Sequence, residues 1–426
     1  MRFPLSLRRQ EPGGTTSSSL RTEEHTSTSP RNARGVRPTA TGLGNLRSDQ
    51  PAETAGRNLG TPQRRPRRAR VALGAALAIT VGYALAPAAS AASDAAAPGK
   101  APVTVMTRNL YLGADLNPAI TATTQEEFLA ATSAIWTHVQ QVSFPDRAKV
   151  LANEIVHAKP DLVGLQEAAL WRTGPINDPA PATNVVYDYL ALLLAELDAA
   201  GRPYDVVISE SEADLEAPAG EPYFQDIRLT MRDVILVRHR AHLELSNATG
   251  AHFANNLPIP VAATGTTFIS TRGWTSVDVT VKRDTFRFVN THLEAFHAGI
   301  RLQQAQELLA GPLDTNGRLI LVGDLNSGPE LPVPENRLAY LALVAGGMVD
   351  TWPILHPGDP GFTSGLGDDL NEPADDLENR VDMVMVRGDG IKPIKSNLVG
   401  NDPRNRTPDG LWPSDHLGHV ATLRIG

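Results

Sequence analysis

No cysteine occurs in the 426 residues. That excludes a disulfide scaffold, a Cys-ligated zinc or iron–sulfur site and a thiol nucleophile, and it is compatible with secretion. Aromatic residues make up only 5%, which leaves few rings to stack on nucleobases. No internal repeat of fixed period runs through the chain, so a solenoid is excluded. Long apolar runs are scarce too. The one from Val71 to Ala86 is shorter than the ~20 residues of a typical membrane span. What is present is a hydrophobic fraction of 41%, enough to bury a core and to exclude a wholly disordered chain. The length allows two or three domains, or one large domain with extensions.

The formal net charge of −8 conceals a split. Residues 1–91 carry 14 basic and 5 acidic side chains, whereas 92–426 carry 25 and 42, a net of −17. The acidic part is a poor electrostatic match for passive binding along nucleic acid. A nuclease whose metal ions attract the phosphate stays compatible with it.

Residues 1–63 are rich in Ser, Thr, Gly, Pro and Arg and read as a disordered N-terminal extension. Residues 64–91 read as a secretory signal peptide. Arg64–Arg70 is the basic region, Val71–Ala86 the apolar region and Ala89-Ser90-Ala91 a small-residue cleavage site. The alternative is a membrane anchor over 71–86, which its length and Ala/Gly content disfavour. The paired arginines admit Sec or twin-arginine export. A signal normally opens a chain, and 63 residues precede this one; a start downstream of Met1 would account for them. Residues 92–100 read as a linker.

From residue 101 the pattern is globular. Val103–Thr107, Asp161–Leu165, Val206–Ser209, Val234–Arg238, Ser276–Val281, Phe286–Thr291, Leu319–Gly323, Val381–Val386 and Val420–Ile425 read as strands. Arg147–His157, stopped by Pro160, Tyr187–Ala200 and Ile300–Ala310 read as helices. The mixture predicts one layered α/β domain over 101–426 with functional loops at strand ends. Gly346–Glu378 and Gly388–Pro413 read as long loops of the kind that carry function.

Several strands deliver metal-competent polar groups at their ends: Asn109, Glu167, His292, Asp324 with Asn326, and Asp415-His416. Asp382 lies within another strand. Strand ends in layered α/β folds converge on ligand crevices. Separate carboxylates with water suit Mg²⁺, and two histidines could stabilise charge or donate a proton. Taken singly, each residue has a plainer reading as a helix cap, a turn former or a satisfied structural histidine. Asn290 and Ser414 read most simply as turn formers.

Taken in order, the segments TRNL (Thr107–Leu110), DLVGLQE (Asp161–Glu167), FVNTHLE (Phe288–Glu294), LVGDLNS (Leu321–Ser327), RVDMVMV (Arg380–Val386) and SDH (Ser414–His416) resemble the endonuclease/exonuclease/phosphatase superfamily. GDLNS followed by SDH is the specific part. The resemblance implies a four-layer sandwich: two mixed β-sheets packed face to face, with helices on the outer faces. It implies a metal-dependent phosphoric ester hydrolase using Mg²⁺, with Mn²⁺ as the other candidate ion. Carried over residue by residue, it makes Glu167 the main metal ligand, Asn109 its positioning partner and Asp415 a carboxylate on the metal side. Asp324 would orient or deprotonate the attacking water, with Asn326 beside it at the phosphate. His416 would contact the phosphate, supported by Asp382. His292 matches the deoxyribonuclease and sphingomyelinase branches, for phosphate contact or leaving-group protonation. Arg232 is a candidate phosphate contact, against a plain salt bridge. The family often continues SDH with a spacer and Pro; here Leu417-Gly418-His419 follows, and His419 reads as structural. Arg301, Gln304 and Glu307 read as a packing or solvated helix face.

These readings add up to a secreted, monomeric, nuclease-like phosphodiesterase with no obligate protein partner. The alternative substrate is a phospholipid head group, as in a sphingomyelinase. Apolar positions over His252–Phe268 and in Leu411-Trp412-Pro413 would then face a membrane, where the plainer reading is core packing. A different class, a non-catalytic extracellular binding protein, is disfavoured because Glu167, Asp324, Asn326, Asp382, Asp415 and His416 are all present.

Overall fold

The computed structural model describes residues 101–426. The extension over 1–63, the signal peptide over 64–91 and the linker over 92–100 lie outside the described residues. Strands run over Ala101–Asn109 (β1), Leu162–Gln166 (β2), Leu170–Pro175 (β3), Asn184–Asp188 (β4), Tyr204–Ala219 (β5), Gln225–Arg238 (β6), Glu244–His252 (β7) and Leu257–Val261 (β8). They continue with Thr266–Ser270 (β9), Gly273–Val281 (β10), Asp284–His292 (β11), Arg318–Asp324 (β12), Val349–Asp350 (β13), Asp382–Arg387 (β14), Ile391–Val399 (β15) and Gly418–Ile425 (β16). The helices are Asn117–Ile120 (α1), Gln125–Gln141 (α2), Phe144–Ala158 (α3), Tyr189–Ala199 (α4), Ala298–Ala310 (α5), Leu338–Ala345 (α6) and Trp352–Leu355 (α7).

The strands form two mixed sheets. One has the order β15-β16-β1-β2-β6-β3-β4, with β5 on the far edge of β6; the other has the order β13-β14-β12-β11-β10-β7. The pairs β1/β2 and β11/β12 are parallel. Alternation along each strand decides which face is which. Val103, Val105, Leu162 and Ile235 of the first sheet meet Val277, Phe286, Phe288, Ile320, Val322 and Val384 of the second in a dry layer. Their intervening neighbours Met106, Val163, Leu165, Val234 and Leu236 pack outward under α2–α4. On the second sheet Val289, Leu319, Leu321, Met383 and Met385 pack outward under α5 and α6. Each fully buried Phe or Leu contributes about 1.5–3 kcal/mol. The result is helix, sheet, sheet, helix, the expected four layers.

The second sheet presses on the first at Gly164, where an added Cβ would lie 2.5 Å from Asn290 Oδ1 and Val322 Cγ2. Asn290 is not in a turn. It lies in β11, fully buried, accepting from Gln166 Nε2 at 2.6 Å and donating to the carbonyls of Leu165 and Val234. A polar clasp thus ties the two sheets just beneath the strand ends.

Helix α2 lay outside the periodicity reading because Ala, Ser and Thr dilute its apolar face, yet Phe128, Ile135, Trp136 and Val139 are buried along it. Thr124 and Glu127 close its first turn as a reciprocal capping box. The segment read as a long loop over Gly388–Pro413 contains an edge strand, β15, whose polar residues Lys392, Lys395 and Asn397 are exposed as edge strands require. Phe253, Val261, Phe268 and Trp412 are buried, so these positions follow the packing reading. Among the described residues no helix is long and apolar enough to cross a membrane.

Candidate active site

Register aligns the ends of both sheets. In the second sheet His292 sits beside Asp324, and Asp324 beside Asp382. In the first, Asn109 is paired with Gln166, so Glu167 emerges next to it. Gly323, at φ +154°, precedes Asp324 where a Cβ would lie 2.1 Å from the Thr291 carbonyl oxygen. Two non-glycine site residues, Glu167 (φ 55°) and Asn326 (φ 45°), hold left-handed backbone immediately after their strands. Such conformations persist where the surroundings enforce them, and they gather at functional sites.

Glu167, His292, Asp324, Asn326, Asp415 and His416 line one pocket of about 220 Å³. Asn109 and Asp382 lie directly behind it. Asn109 Nδ2 donates to Glu167 Oε1 at 3.2 Å and to Asp324 Oδ2 at 3.1 Å. The second Glu167 oxygen accepts from Leu112 N at 2.7 Å, and Asp324 Oδ1 accepts from Asn326 N at 2.8 Å. His416 Nδ1 donates to Asp382 Oδ2 at 2.8 Å. Burial alone would lower the His416 pKa, but Asp382, with Asp415 and Asp324, holds it well above the usual value. Its Nε2 is the nitrogen left for a ligand.

Arg232 is placed differently. It donates to the Ala168 carbonyl at 2.8 Å and to Asp188 at 2.6 Å, and it is not among the pocket-lining residues. That is the salt-bridge geometry. His419 is buried under Trp352, bonded to Ser396 Oγ at 2.7 Å, and burial pushes its pKa down to about 4. Arg301 and Gln304 are buried and, with Glu307, bind backbone of the neighbouring loops, which makes them packing residues.

Three functional supports were not legible in the sequence. Arg147, buried on α3, donates to the carbonyls of Leu110, Tyr111 and Pro413 and so joins the loop after β1 to the SDH segment. Arg108, paired with buried Glu154, donates to the His416 carbonyl. Arg272 enters the pocket wall and donates to His292. Arg108 lies within β1 and Arg147 within α3, and only Arg272 stands just ahead of a strand, a cue too common to single it out.

The electrostatics favour a cation. Carboxylates of Asp115, Glu167, Asp324, Asp368 and Asp415 face the pocket, against Arg272 and the two histidines. Burial, reinforced by Glu167 and Asp368 against His416, pushes Asp415 up to about 7. Glu167 and Asp415 carry the carboxylate oxygens a hard divalent ion takes, and Asn109, with Nδ2 toward Glu167 and Oδ1 accepting from Tyr111 N, positions Glu167. Among the described residues two groups of three have the spacing of ligands, Asp324 with Asp382 and His416, and Glu212 with Asp233 and His292, and neither includes Glu167 or Asp415. In the first, the His416–Asp382 hydrogen bond already fills the space between donors.

The sequence model of the Endonuclease/Exonuclease/phosphatase family matches residues 139–416. No curated protein matches the sequence. Among solved structures, humanized D. rerio TDP2 carrying 14 mutations aligns over 76% of this chain and 98% of its own, at 16% identity and TM-score 0.47. A Bacteroides thetaiotaomicron mannosyl-6-phosphatase aligns over 75% and 99%, at 16% identity and TM-score 0.48. A family protein from Beutenbergia cavernae aligns over 76% and 72%, at 20% identity and TM-score 0.45.

Proposed function

Because this chain belongs to the Endonuclease/Exonuclease/phosphatase family, and so is a metal-dependent phosphoric ester hydrolase, we propose that it is a secreted Mg²⁺-dependent phosphodiesterase. The observation that carries this reading is the convergence of Glu167, Asp324 and the His416–Asp382 pair on one pocket. Glu167 and Asp415 would hold the ion, which when bound would supply positive charge to the phosphoryl oxygens. Asp324 takes the proton of the attacking water, whose oxygen bonds to phosphorus as the bond to the leaving oxygen breaks. Asn109 holds Asp324 Oδ2 in place for this. His416, kept protonated by Asp382, presents Nε2–H to the phosphate, where it neutralises developing charge and can supply the leaving oxygen with a proton.

The nuclease-like reading draws support from Phe296, an exposed ring at the pocket wall on which a base can stack. A second reading, a phospholipid head group, is favoured by a specific feature. An apolar cavity of about 110 Å³ lies under the β8–β9 hairpin and shares Leu116, Ile120 and Phe268 with the catalytic pocket. The test is to assay the purified protein with Mg²⁺ and with EDTA on single-stranded and duplex DNA, RNA, sphingomyelin vesicles, a bis-aryl phosphodiester and an aryl phosphomonoester. Diester cleavage abolished by EDTA supports the proposal, and the natural substrate giving the largest kcat/KM separates the two readings. Cleavage of the monoester alone, or diester cleavage undiminished by EDTA, sinks it. For secretion, N-terminal sequencing of protein from culture medium should begin near Ala92.

A further inference from the structure

His292 closes β11 with its ring 2% exposed, and its two nitrogens have different neighbours. Nδ1 lies 2.9 Å from Arg272 Nη1. Nε2 lies 3.1 Å from Asn326 Nδ2 and 3.5 Å from Asp324 Oδ2. Both sides therefore face an N–H group, and a neutral imidazole has one lone-pair nitrogen to offer. The guanidinium decides the matter. It is an obligate donor that does not release its proton, and it is the nearer of the two. Nδ1 must accept, so the ring proton is on Nε2. The Asn326 amide keeps its bond to the Leu293 carbonyl, at 3.0 Å, and Nε2–H is left for Asp324 Oδ2 or for an incoming oxygen.

Arg272 is itself held for this task. Its guanidinium is buried, and Nη1 lies 3.7 Å from Glu212 Oε2, while Glu212 Oε1 accepts from Gly273 N at 2.7 Å. Glu212, Asp233 and His292 have their ligand atoms within 4.8 Å of one another, the spacing of an ion site. The cation beside them is the guanidinium, which reaches both Glu212 and His292. Glu212 Oε2, Asp233 Oδ2 and Arg272 Nε have no hydrogen-bond partner of their own. The groups facing His292 are Arg272, Asp324 and His416, and burial first, then Arg272, pushes its pKa down to about 3.

We propose that Arg272 is a positioning residue that fixes His292 as a neutral imidazole with its proton on Nε2. His292 then acts as a hydrogen-bond donor to a phosphoryl oxygen and not as the acid that protonates the leaving group. The N–H of a neutral imidazole polarises an oxygen as a hydrogen-bond donor, and it is a far weaker acid than the imidazolium of His416. This leaves His416 as the imidazolium of the pocket. The tautomer follows from the geometry alone, whereas the role toward phosphate rests on the phosphodiesterase reading.

Two measurements on the full chain test the two halves separately. The ¹⁵N shifts of selectively labelled histidine at pH 7, assigned with His292→Gln, should show His292 neutral and protonated at Nε2. Arg272→Lys, which keeps an obligate donor, should preserve that tautomer, and Arg272→Met should lose it with a fall of about 10–100-fold in turnover. An Nδ1–H or cationic His292 in the wild type overturns the proposal even if Arg272→Met fails to fold. The second measurement compares His292→Ala with wild type on aryl and alkyl phosphodiesters. Equal fractional losses for good and poor leaving groups are expected. A loss that grows as the leaving group becomes more basic identifies His292 as the acid and refutes the assigned role. If no diester is cleaved at all, the functional reading fails while the tautomer result stands.

Discussion

Asp382→Asn is the substitution that isolates one charge. Asp382 is fully buried; its Oδ2 accepts from His416 Nδ1 at 2.8 Å, and its Oδ1 has no partner. The amide keeps the size and an acceptor oxygen for His416, while the negative charge is lost and an NH2 takes the place of the unpartnered Oδ1. Hydrogen bonds to charged groups contribute about 1.5–3 kcal/mol, against about 1 kcal/mol for neutral ones. The difference of about 0.5–2 kcal/mol predicts a turnover loss of about 2- to 30-fold on a phosphodiester at saturating metal. Because Asp382 is what raises His416 against the pull of burial, the alkaline limb of the pH–rate profile should move to lower pH. Stability follows the same sign. A histidine raised by a partner contributes fully below its unfolded value of about 6.5 and loses that contribution as the pH rises through the higher folded value. Asp382→Asn should therefore cost most near pH 6 and least in alkali, measurable from urea midpoints. In Asp382→Asn/His416→Ala the rate should be within about twofold of His416→Ala alone, since the two act as a unit. Rate losses that multiply in full, or an alkaline limb that does not move, would show that the pair does not operate as argued.

Metal titrations should separate two carboxylates. Glu167→Gln should raise the Mg²⁺ requirement, whereas Asp324→Asn should cut turnover by about 10²–10⁴ at saturating metal, the scale for a lost general base; identical effects in the two variants would contradict the division of roles. His419, whose pKa burial pushes down to about 4, takes up its proton in the unfolded chain first. Stability should thus fall as pH drops from about 6.5 toward 4, by up to about 1.4 kcal/mol per unit. His419→Gln should flatten part of that slope, with His292 supplying a further part, as denaturation at pH 5 and pH 7 would reveal. Arg108→Met strands Glu154 without its partner and should cost about 3–5 kcal/mol. Because Arg108 also holds the His416 carbonyl, activity should drop at temperatures where the variant is still folded.

Local pattern in the chain marks the central strands and what they carry. Period-two burial and short apolar runs mark β1, β2, β11, β12 and β14, because strands buried on both faces must be apolar nearly throughout. The polar residue that breaks each run, such as Asp324 after Leu319–Gly323, stands out for the same reason. Pro160 marks the end of α3, and Asp415-His416 is legible as a pair because the two are adjacent. Tertiary structure alone decided the rest, since partners far apart in the chain leave no local trace. Asp382 and His416 stand 34 residues apart and meet only when β14 and the segment before β16 converge. Asn290 looks like a turn former until Gly164 lets the opposing sheet come close enough for Gln166 and the Leu165 and Val234 carbonyls to satisfy it. Arg232, a candidate phosphate contact in the sequence, is claimed by Asp188. Arg272 has no motif at all, and what gives it a role is the one nitrogen of His292 that lies within its reach.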